Sequence, residues 1–250
     1  MTHNLAISLR EGTKQSHTLA ENTAFMKCFL KGIVEKEPLR RLIANLYFVY
    51  SALEDEMRRH KQDPIVGPLY FSVLERTPQL EKDLAFYYGD DWRNQTEASP
   101  EGLHYVKRIR EVANREPALL IAHAYVRYMG DLSGGQSLKN IIRSALALPD
   151  SKGTAFYDFE DIPTAEARRA FKGQYRNTLN ALPLDTTLTQ KIVDEANLAF
   201  RLNRNVVHEL EPLVKAAIGD HVFDLITRQD KPGSTEHYHS HSTPGLVATE

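Results

Sequence analysis

Apolar residues recur at intervals of three and four along almost the whole chain, and this spacing constrains the fold more than any other feature of the sequence. The clearest run follows Pro38 and comprises Leu39, Leu42, Ile43, Leu46, Val49, Leu53 and Met57. Successive helical residues are about 100° apart, so such a run forms one apolar stripe along a helix. Strand-like alternation is short and scattered. The pattern predicts an all-α fold, a single-domain helical bundle.

Proline and capping residues predict where several helices begin. Pro38, Pro117 and Pro163 each precede a helical apolar pattern, and proline suits the first turn of a helix. Thr187 and Gln190 have the spacing of a capping box, which predicts one more helix start. Earlier helices are expected near 4–22, 23–35 and 71–88.

The composition changes beyond about Arg228. Residues 229–250 are polar, contain Pro, Gly and Ser, and lack the apolar residues that a core requires, so they are predicted to form a disordered tail. The tail contains alternating histidines at positions 237, 239 and 241, for which a solvated tail is the favoured interpretation and a loose metal site the alternative. The helical domain is expected to span 1–228, and deletion of 229–250 is expected to leave function nearly unchanged.

Charge, hydropathy and cysteine content exclude several function classes. The net charge of −2 gives no signal for nucleic-acid binding. No apolar run approaches the roughly 18 residues that span a bilayer, and the amino terminus lacks a signal-peptide pattern. We therefore expect a cytoplasmic protein without a membrane partner, and a monomer. The single cysteine, Cys28, excludes an internal disulfide and the ligand set of a typical iron–sulfur cluster.

The segment Tyr128–Gln136 places glycines at 130, 134 and 135 within a helical pattern. Each interior glycine destabilises a helix by about 1 kcal/mol relative to alanine, so another requirement must favour these residues. One interpretation is a loop between two helices. The other is a kinked helix whose bare backbone approaches a flat ligand.

Three polar residues of the first predicted helix lie on one face. Arg10, Lys14 and His17 are spaced by four and three, which separates Arg10 from His17 by roughly 10 Å along the axis. That separation suits a ligand with a central metal and carboxylates at its edge, such as haem. A structural or exposed histidine is the alternative. Glu21 follows His17 by four residues and is placed to hydrogen-bond the imidazole ring.

Two later segments add polar groups. Lys172 and Arg176 are four residues apart and either pair with anionic groups or form a solvated basic stripe. Asn203 places an amide near an apolar stripe, where it either faces a site, caps local backbone or meets water.

Five segments, in the same order over about 5–215, resemble the haem oxygenase family, most closely its cyanobacterial and plant-type members. The most specific segment is Ala122–Gln136, which contains the glycine cluster. The others are Thr13–Asn22, Tyr50–Glu54, Asp83–Gly89 and Phe171–Arg176.

This resemblance implies a role for each matched residue. His17 matches the proximal ligand of haem iron, and Asp131 matches the distal carboxylate that orders water beside dioxygen. The other matched members of the distal network are Tyr50, Glu54, Arg127 and Asn203. The distal helix over the porphyrin is matched by Gly130, Gly134 and Gly135. The positions that hold the haem propionates are matched by Arg10, Tyr125, Lys172 and Arg176. The remaining predicted haem contacts are Glu21 and Phe200.

The function implied by the resemblance is oxidative cleavage of haem to biliverdin IXα, carbon monoxide and Fe²⁺. Haem b would be both cofactor and substrate, with dioxygen as the oxidant. Because the sequence has no dinucleotide fingerprint, electrons must come from outside, and the resemblance implies reduced ferredoxin as the donor. A bilin reductase that accepts the product is a further expected partner, in bilin pigment synthesis.

Two alternatives to this function stay open. The first is a non-catalytic haem-binding or storage protein on the same fold. The second is a di-iron bundle, which expects paired Glu-x-x-His motifs, of which the predicted helical domain has only Glu101 with His104.

Overall fold

A computed structural model describes residues 4–150 and 152–234, and over these residues it is helical with no strand. The helices are α1 (Leu5–Gly12), α2 (Lys14–Glu21), α3 (Ala24–Leu30), α4 (Lys36–Arg59), α5 (Thr77–Tyr88), α6 (Trp92–Gln95), α7 (Pro100–Arg115), α8 (Leu120–Ser133), α9 (Gly135–Ala145), α10 (Ala165–Ala181), α11 (Thr186–His208), α12 (Glu211–Ile218) and α13 (Asp220–Thr227). Short 3₁₀ turns lie at Gly67–Leu69, Ser72–Leu74, Pro117–Leu119 and Ala155–Tyr157. The predicted all-α bundle is confirmed.

The apolar stripe predicted after Pro38 is the buried face of α4. Leu39, Leu53 and Met57 are almost completely buried, and the helix packs between α5 and α7. Each fully buried side chain of this size contributes roughly 1.5–3 kcal/mol relative to an exposed one. Because α4 also contacts α8, the stripe fixes one wall of the bundle beside the glycine cluster.

The single helix predicted over 4–22 is wrong, because the chain breaks at Thr13 into α1 and α2. The Thr13 hydroxyl donates to the Leu9 carbonyl at 2.7 Å, a bond back along the helix that bends it. Gly12 permits a close approach to α11, since a Cβ there would lie 2.5 Å from Val193 Cγ1. The break gives α2, which carries His17, its own direction.

Helix α11 begins two residues earlier than the predicted capping box implies. Asp185 is the N-cap, and its carboxylate accepts from the Leu188 amide at 2.7 Å. The capping box of Thr187 and Gln190 is therefore wrong, and Gln190 bonds Asp194 instead. From this N-cap, α11 runs across the bundle and contacts α1, α2, α7 and α8.

The glycine cluster forms a junction between two helices and no open loop. Gly134 separates α8 from α9, yet its φ of −89° and ψ of −21° are helical. Its amide also donates to the Gly130 carbonyl at 2.9 Å. The kinked helix is therefore confirmed, and the approach of its backbone to a flat ligand stays a prediction.

The predicted boundary at 228 falls just after α13. Residues 229–234 contact α2 and α3 through polar groups, although no core forms there. Residues 235–250, including the three tail histidines, lie outside the described residues, so the disordered tail stays a prediction. No helix within the described ranges is long and apolar enough to cross a membrane.

Candidate functional site

His17 lies near the middle of α2 with about a third of its side chain exposed. Its Nδ1 is buried and has no hydrogen-bond partner in the described part of the chain. The nearest carboxylate is that of Glu21, whose Oε2 lies 3.6 Å from Nδ1. A proton on Nδ1 leaves Nε2 neutral and able to bind a metal, so the ring has the surroundings of a ligand.

The predicted distal residues form one buried cluster. The Tyr50 hydroxyl on α4 donates to the Asp131 carboxylate on α8. Arg127 donates to the Tyr50 oxygen at 3.0 Å and to the Asn203 side-chain carbonyl, and its guanidinium lies 3.9 Å from Asp131. Three helices, α4, α8 and α11, therefore hold the Asp131 carboxyl in one orientation.

Burial controls the ionisation of this cluster. It raises the pKa of Asp131, and the Arg127 charge and the Tyr50 hydrogen bond only partly oppose this. Burial also raises the pKa of Tyr50, and the Asp131 charge adds to the effect. Tyr50 therefore remains a hydrogen-bond donor at neutral pH, while Asp131 titrates closer to neutrality than an exposed aspartate does.

Helix α11 connects the histidine to this cluster. The Phe200 ring meets the His17 ring edge-on, with centroids 5.7 Å apart. Asn203, one helical turn further along, accepts from Arg127. The predicted residues on α2, α8 and α11 thus belong to one region of the bundle.

The glycines of the α8–α9 junction differ in how much space lies where a Cβ atom would be. A Cβ on Gly130 would meet no described atom within 4 Å, and one on Gly134 would only touch the Gly130 carbonyl, at 3.8 Å. Both glycines are exposed, so they form a strip of bare backbone that a flat ligand can approach. Gly135 is buried, and a Cβ there would lie 3.1 Å from the Tyr157 ring. The Tyr157 ring therefore occupies the Cβ side of Gly135, and the contact of Gly135 with a ligand stays a prediction.

Four predicted residues form a basic edge where α1, α8 and α10 meet. Burial raises the pKa of Tyr125, and the charges of Arg176 and Arg10 lower it, which places both cations near that hydroxyl. The Lys172 ammonium lies 3.3 Å from the Ser133 hydroxyl at the end of α8. Burial lowers the Lys172 pKa, and the Arg176 charge adds to this effect. Such an edge suits carboxylates.

Within the described residues, Glu54 makes no direct hydrogen bond to the cluster of Tyr50 and Asp131. Its carboxylate accepts from the backbone amides of Arg76 and Thr77 at the start of α5. Burial raises its pKa to about 7 despite these hydrogen bonds. Glu54 therefore stabilises the start of α5, and its implied part in the distal network stays a prediction.

Tyr105 is a residue of this region that the sequence analysis missed. It is almost fully buried on α7, and its hydroxyl has no hydrogen-bond partner among the described residues. Burial raises its pKa to about 12, and the nearby Arg127 charge lowers it. In the sequence, Tyr105 has the spacing of the apolar stripe of α7, so the pattern alone does not distinguish it from an ordinary core residue.

The di-iron alternative has no matching arrangement. Glu101 and His104 form only a 3.6 Å ion pair on α7. Within the described ranges, no group of three or more His, Cys, Asp and Glu side chains is placed to hold a metal ion.

A helical bundle that combines a histidine with the surroundings of a metal ligand, a bare helix backbone and a basic edge is the architecture expected of haem-binding oxygenases. The sequence model of the family described as "Heme oxygenase" matches residues 3–209, and the chain belongs to this family. It is 60% identical to Heme oxygenase 2 of Synechocystis sp. PCC 6803 over 246 residues, covering 98% of this chain and 97% of that protein. It is 53% identical to Heme oxygenase 1 of Nostoc sp. PCC 7120, covering 94% and 98%.

A solved structure supports the same relationship. The crystal structure of heme oxygenase-2 from Synechocystis sp. PCC 6803 in complex with heme and NO matches with a TM-score of 0.93 and 60% identity. The match covers 94% of this chain and 96% of that one.

Proposed function

We propose that this protein is a haem oxygenase, which binds haem through His17 and cleaves it to biliverdin IXα, carbon monoxide and Fe²⁺. One observation carries the proposal: a buried Asp131 cluster lies on α8 beside the bare backbone of Gly130 and Gly134. Bound haem supplies the iron at which dioxygen is reduced, and its ring is the substrate that is oxidised.

The residues present fit haem on three sides. His17 offers a neutral Nε2 to iron, because Glu21 faces the other ring nitrogen. Gly130 and Gly134 let the α8 backbone approach the ring face. Arg10, Tyr125, Lys172 and Arg176 bind the carboxylates at the ring edge.

Asp131 holds and orients the proton that the oxidation consumes. Its raised pKa brings it closer to the operating pH, which favours proton transfer. Tyr50, Arg127 and Asn203 fix its orientation through a continuous set of hydrogen bonds. This arrangement directs proton delivery to the distal face and thereby favours ring oxidation.

The same cluster distinguishes an oxygenase from a haem-storage protein. Storage requires an iron ligand and carboxylate partners, and it gains nothing from a buried, oriented acid above the ring. The relatives that cover nearly the whole chain are named heme oxygenases, which also supports catalysis.

We extend the proposal to the partners. Reduced ferredoxin is the electron donor and a bilin reductase accepts the product, which the similarity to cyanobacterial relatives supports. We further propose a cytoplasmic monomer with a helical domain over 1–228.

The test is to add haem to the purified protein, supply a ferredoxin reducing system and identify the products. We expect biliverdin IXα, one equivalent of carbon monoxide and chelatable Fe²⁺. The His17→Ala variant serves as the control without the axial ligand. Haem that binds tightly yet keeps its absorbance spectrum under reductant and oxygen would identify a storage protein instead.

A further inference from the structure

Residues 228–234, which we call the C-terminal strap, leave α13 and run beside the helix that carries His17. The start of the strap is tied to Lys27 on α3. The Lys27 ammonium donates to the Thr227 carbonyl at 2.8 Å and pairs with the Asp230 carboxylate at 2.6 Å. The Lys27 side chain is only 9% exposed, whereas Asp230 is 79% exposed, so the strap is attached at the surface to a lysine that is itself held in place.

Asn22, which ends α2, holds the middle of the strap. Its side-chain amide accepts from the Lys231 amide at 2.8 Å and donates to the Lys231 carbonyl, also at 2.8 Å. Gly233 then lies directly on Thr18, since a Cβ there would come within 2.1 Å of the Thr18 hydroxyl and 3.1 Å of its Cα. Glycine is therefore required for the strap to lie this close to α2.

The end of the strap binds Glu21, the carboxylate nearest to His17. The Ser234 amide donates to Glu21 Oε2 at 2.8 Å, and the Ser234 hydroxyl donates to Oε1 at 2.5 Å. Both carboxylate oxygens are thereby held, although Glu21 is a partly exposed residue that could otherwise turn to solvent. Oε2 retains a further lone pair and lies 3.6 Å from the unpartnered Nδ1 of His17.

We propose that the C-terminal strap is a positioning element of the haem site, which holds the Glu21 carboxylate opposite Nδ1 of His17. The inference rests on the proposed function, because it assumes that Nε2 of His17 binds iron. A carboxylate at Nδ1 fixes the tautomer and orientation of a ligating histidine and raises its basicity. Without the strap, Glu21 is free to turn to water, and His17 becomes a weaker donor.

This inference revises the expectation that all of 229–250 is dispensable. Among the described residues, the last contact to Glu21 comes from Ser234, so two truncations separate the strap from the residues beyond it. A chain of residues 1–234 keeps the strap, and a chain of residues 1–227 removes it.

Two readouts report on His17 without depending on turnover. One is the iron–histidine stretching band of the ferrous haem complex in resonance Raman spectra. The other is the ¹⁵N shifts of the His17 ring in the haem-free protein. We expect the chain 1–234 to match the full chain in both readouts. The chain 1–227 should shift the band to lower frequency, lose the preference for the Nδ1–H tautomer, and bind haem roughly tenfold more weakly.

If the chain 1–227 does not fold, point variants in the full chain test the strap instead. Gly233→Val displaces the strap from Thr18, and Ser234→Ala removes one of the two donors to Glu21. Thermal unfolding checks that the fold is kept, and Ser72→Ala, at an exposed 3₁₀ turn, is the matched control. Gly233→Val should reproduce the shifts of the chain 1–227, with Ser234→Ala giving a smaller change in the same direction.

Four results are decisive. The role of the strap would be overturned if the chain 1–227 gave the same spectra as the full chain. The same spectra from a folded Gly233→Val protein would overturn it too. Equal shifts in the chains 1–227 and 1–234 would also overturn it, because the effect would then come from residues after 234. An iron–histidine band that persists in His17→Ala would refute the proposed ligation itself, which keeps the two failures distinct.

Discussion

The two helices that carry the candidate site, α2 and α8, are held in different ways. Helix α2 has eight residues, none of them buried, and polar contacts from its neighbours hold it. Nine of the fourteen residues of α8 are buried, and its polar groups bond across three helices. The candidate site therefore joins a helix held at the surface, which carries the proposed iron ligand, to a closely packed helix, which carries the proposed proton donor.

The largest expected effect comes from the α2 side. His17→Ala should abolish native turnover and change the ferric haem spectrum, because the chain loses its axial ligand, and added imidazole should partly restore turnover. Steady-state biliverdin formation and absorbance spectra measure both. His104→Ala, which changes an exposed histidine on α7, is the control and should behave as the unmodified protein does. Full activity in His17→Ala would show that α2 does not supply the ligand.

The next effect comes from the α8 side and should separate chemistry from binding. Asp131→Ala should still bind one haem, because His17 and the basic edge are intact, while biliverdin formation falls by about 10²–10⁴. The measurements are a haem titration and product analysis after addition of hydrogen peroxide. Verdohaem and biliverdin at the unmodified rate would show that Asp131 is dispensable.

A third prediction tests how rigidly α8 is held. Glu195 on α11 joins His123 of α8 at 2.9 Å to Arg108 of α7 at 2.6 Å. Burial favours the protonated carboxyl, but hydrogen bonds from His123 and Arg108 outweigh it and lower the Glu195 pKa to about 2. Glu195→Gln should therefore destabilise the protein at pH 7 by about 3 kcal/mol, the low end for a broken buried pair.

The same variant has a defined pH dependence. A carboxyl with a lowered folded-state pKa stabilises the protein above its unfolded pKa, near 4.5, and this stabilisation is lost as the pH falls toward 2. Denaturant unfolding should show a constant difference between the two proteins from pH 7 to 5 and a smaller one below pH 4. A difference that does not depend on pH would mean that the pair contributes by packing alone.

The smallest effect contrasts two glycines of the α8–α9 junction. Gly130→Ala should stabilise the haem-free protein by about 1 kcal/mol, because alanine favours a helix and space is open there, while haem affinity falls. Gly135→Ala should gain less stability, because its Cβ presses on Tyr157 at 3.1 Å. Thermal melts and haem titrations of both variants measure this. A Gly130→Ala variant that binds haem as tightly as the unmodified protein would contradict the assignment of Gly130 to the ligand face.

Local features of the sequence determined the helical class and most of the candidate site. The stripe after Pro38 lies within one helix, so residue spacing alone places its side chains on a face. Arg10 and His17 lie on two helices, α1 and α2, so their spacing alone did not fix how they are related. The resemblance then assigned the cluster of Tyr50, Arg127, Asp131 and Asn203, which the structure brings together, although the catalytic roles of these residues stay predictions.

Tertiary structure decided the features that depend on partners far away in the chain. Glu54 caps α5 and Gly135 packs on Tyr157, and spacing cannot reveal either of these neighbours. The Tyr105 hydroxyl, which has no hydrogen-bond partner among the described residues, is another such feature. The sequence pattern shows that Tyr105 is buried, but it does not show whether its hydroxyl is bonded. The strap bonds Ser234 to Glu21, 213 residues earlier, and only folding brings these groups together.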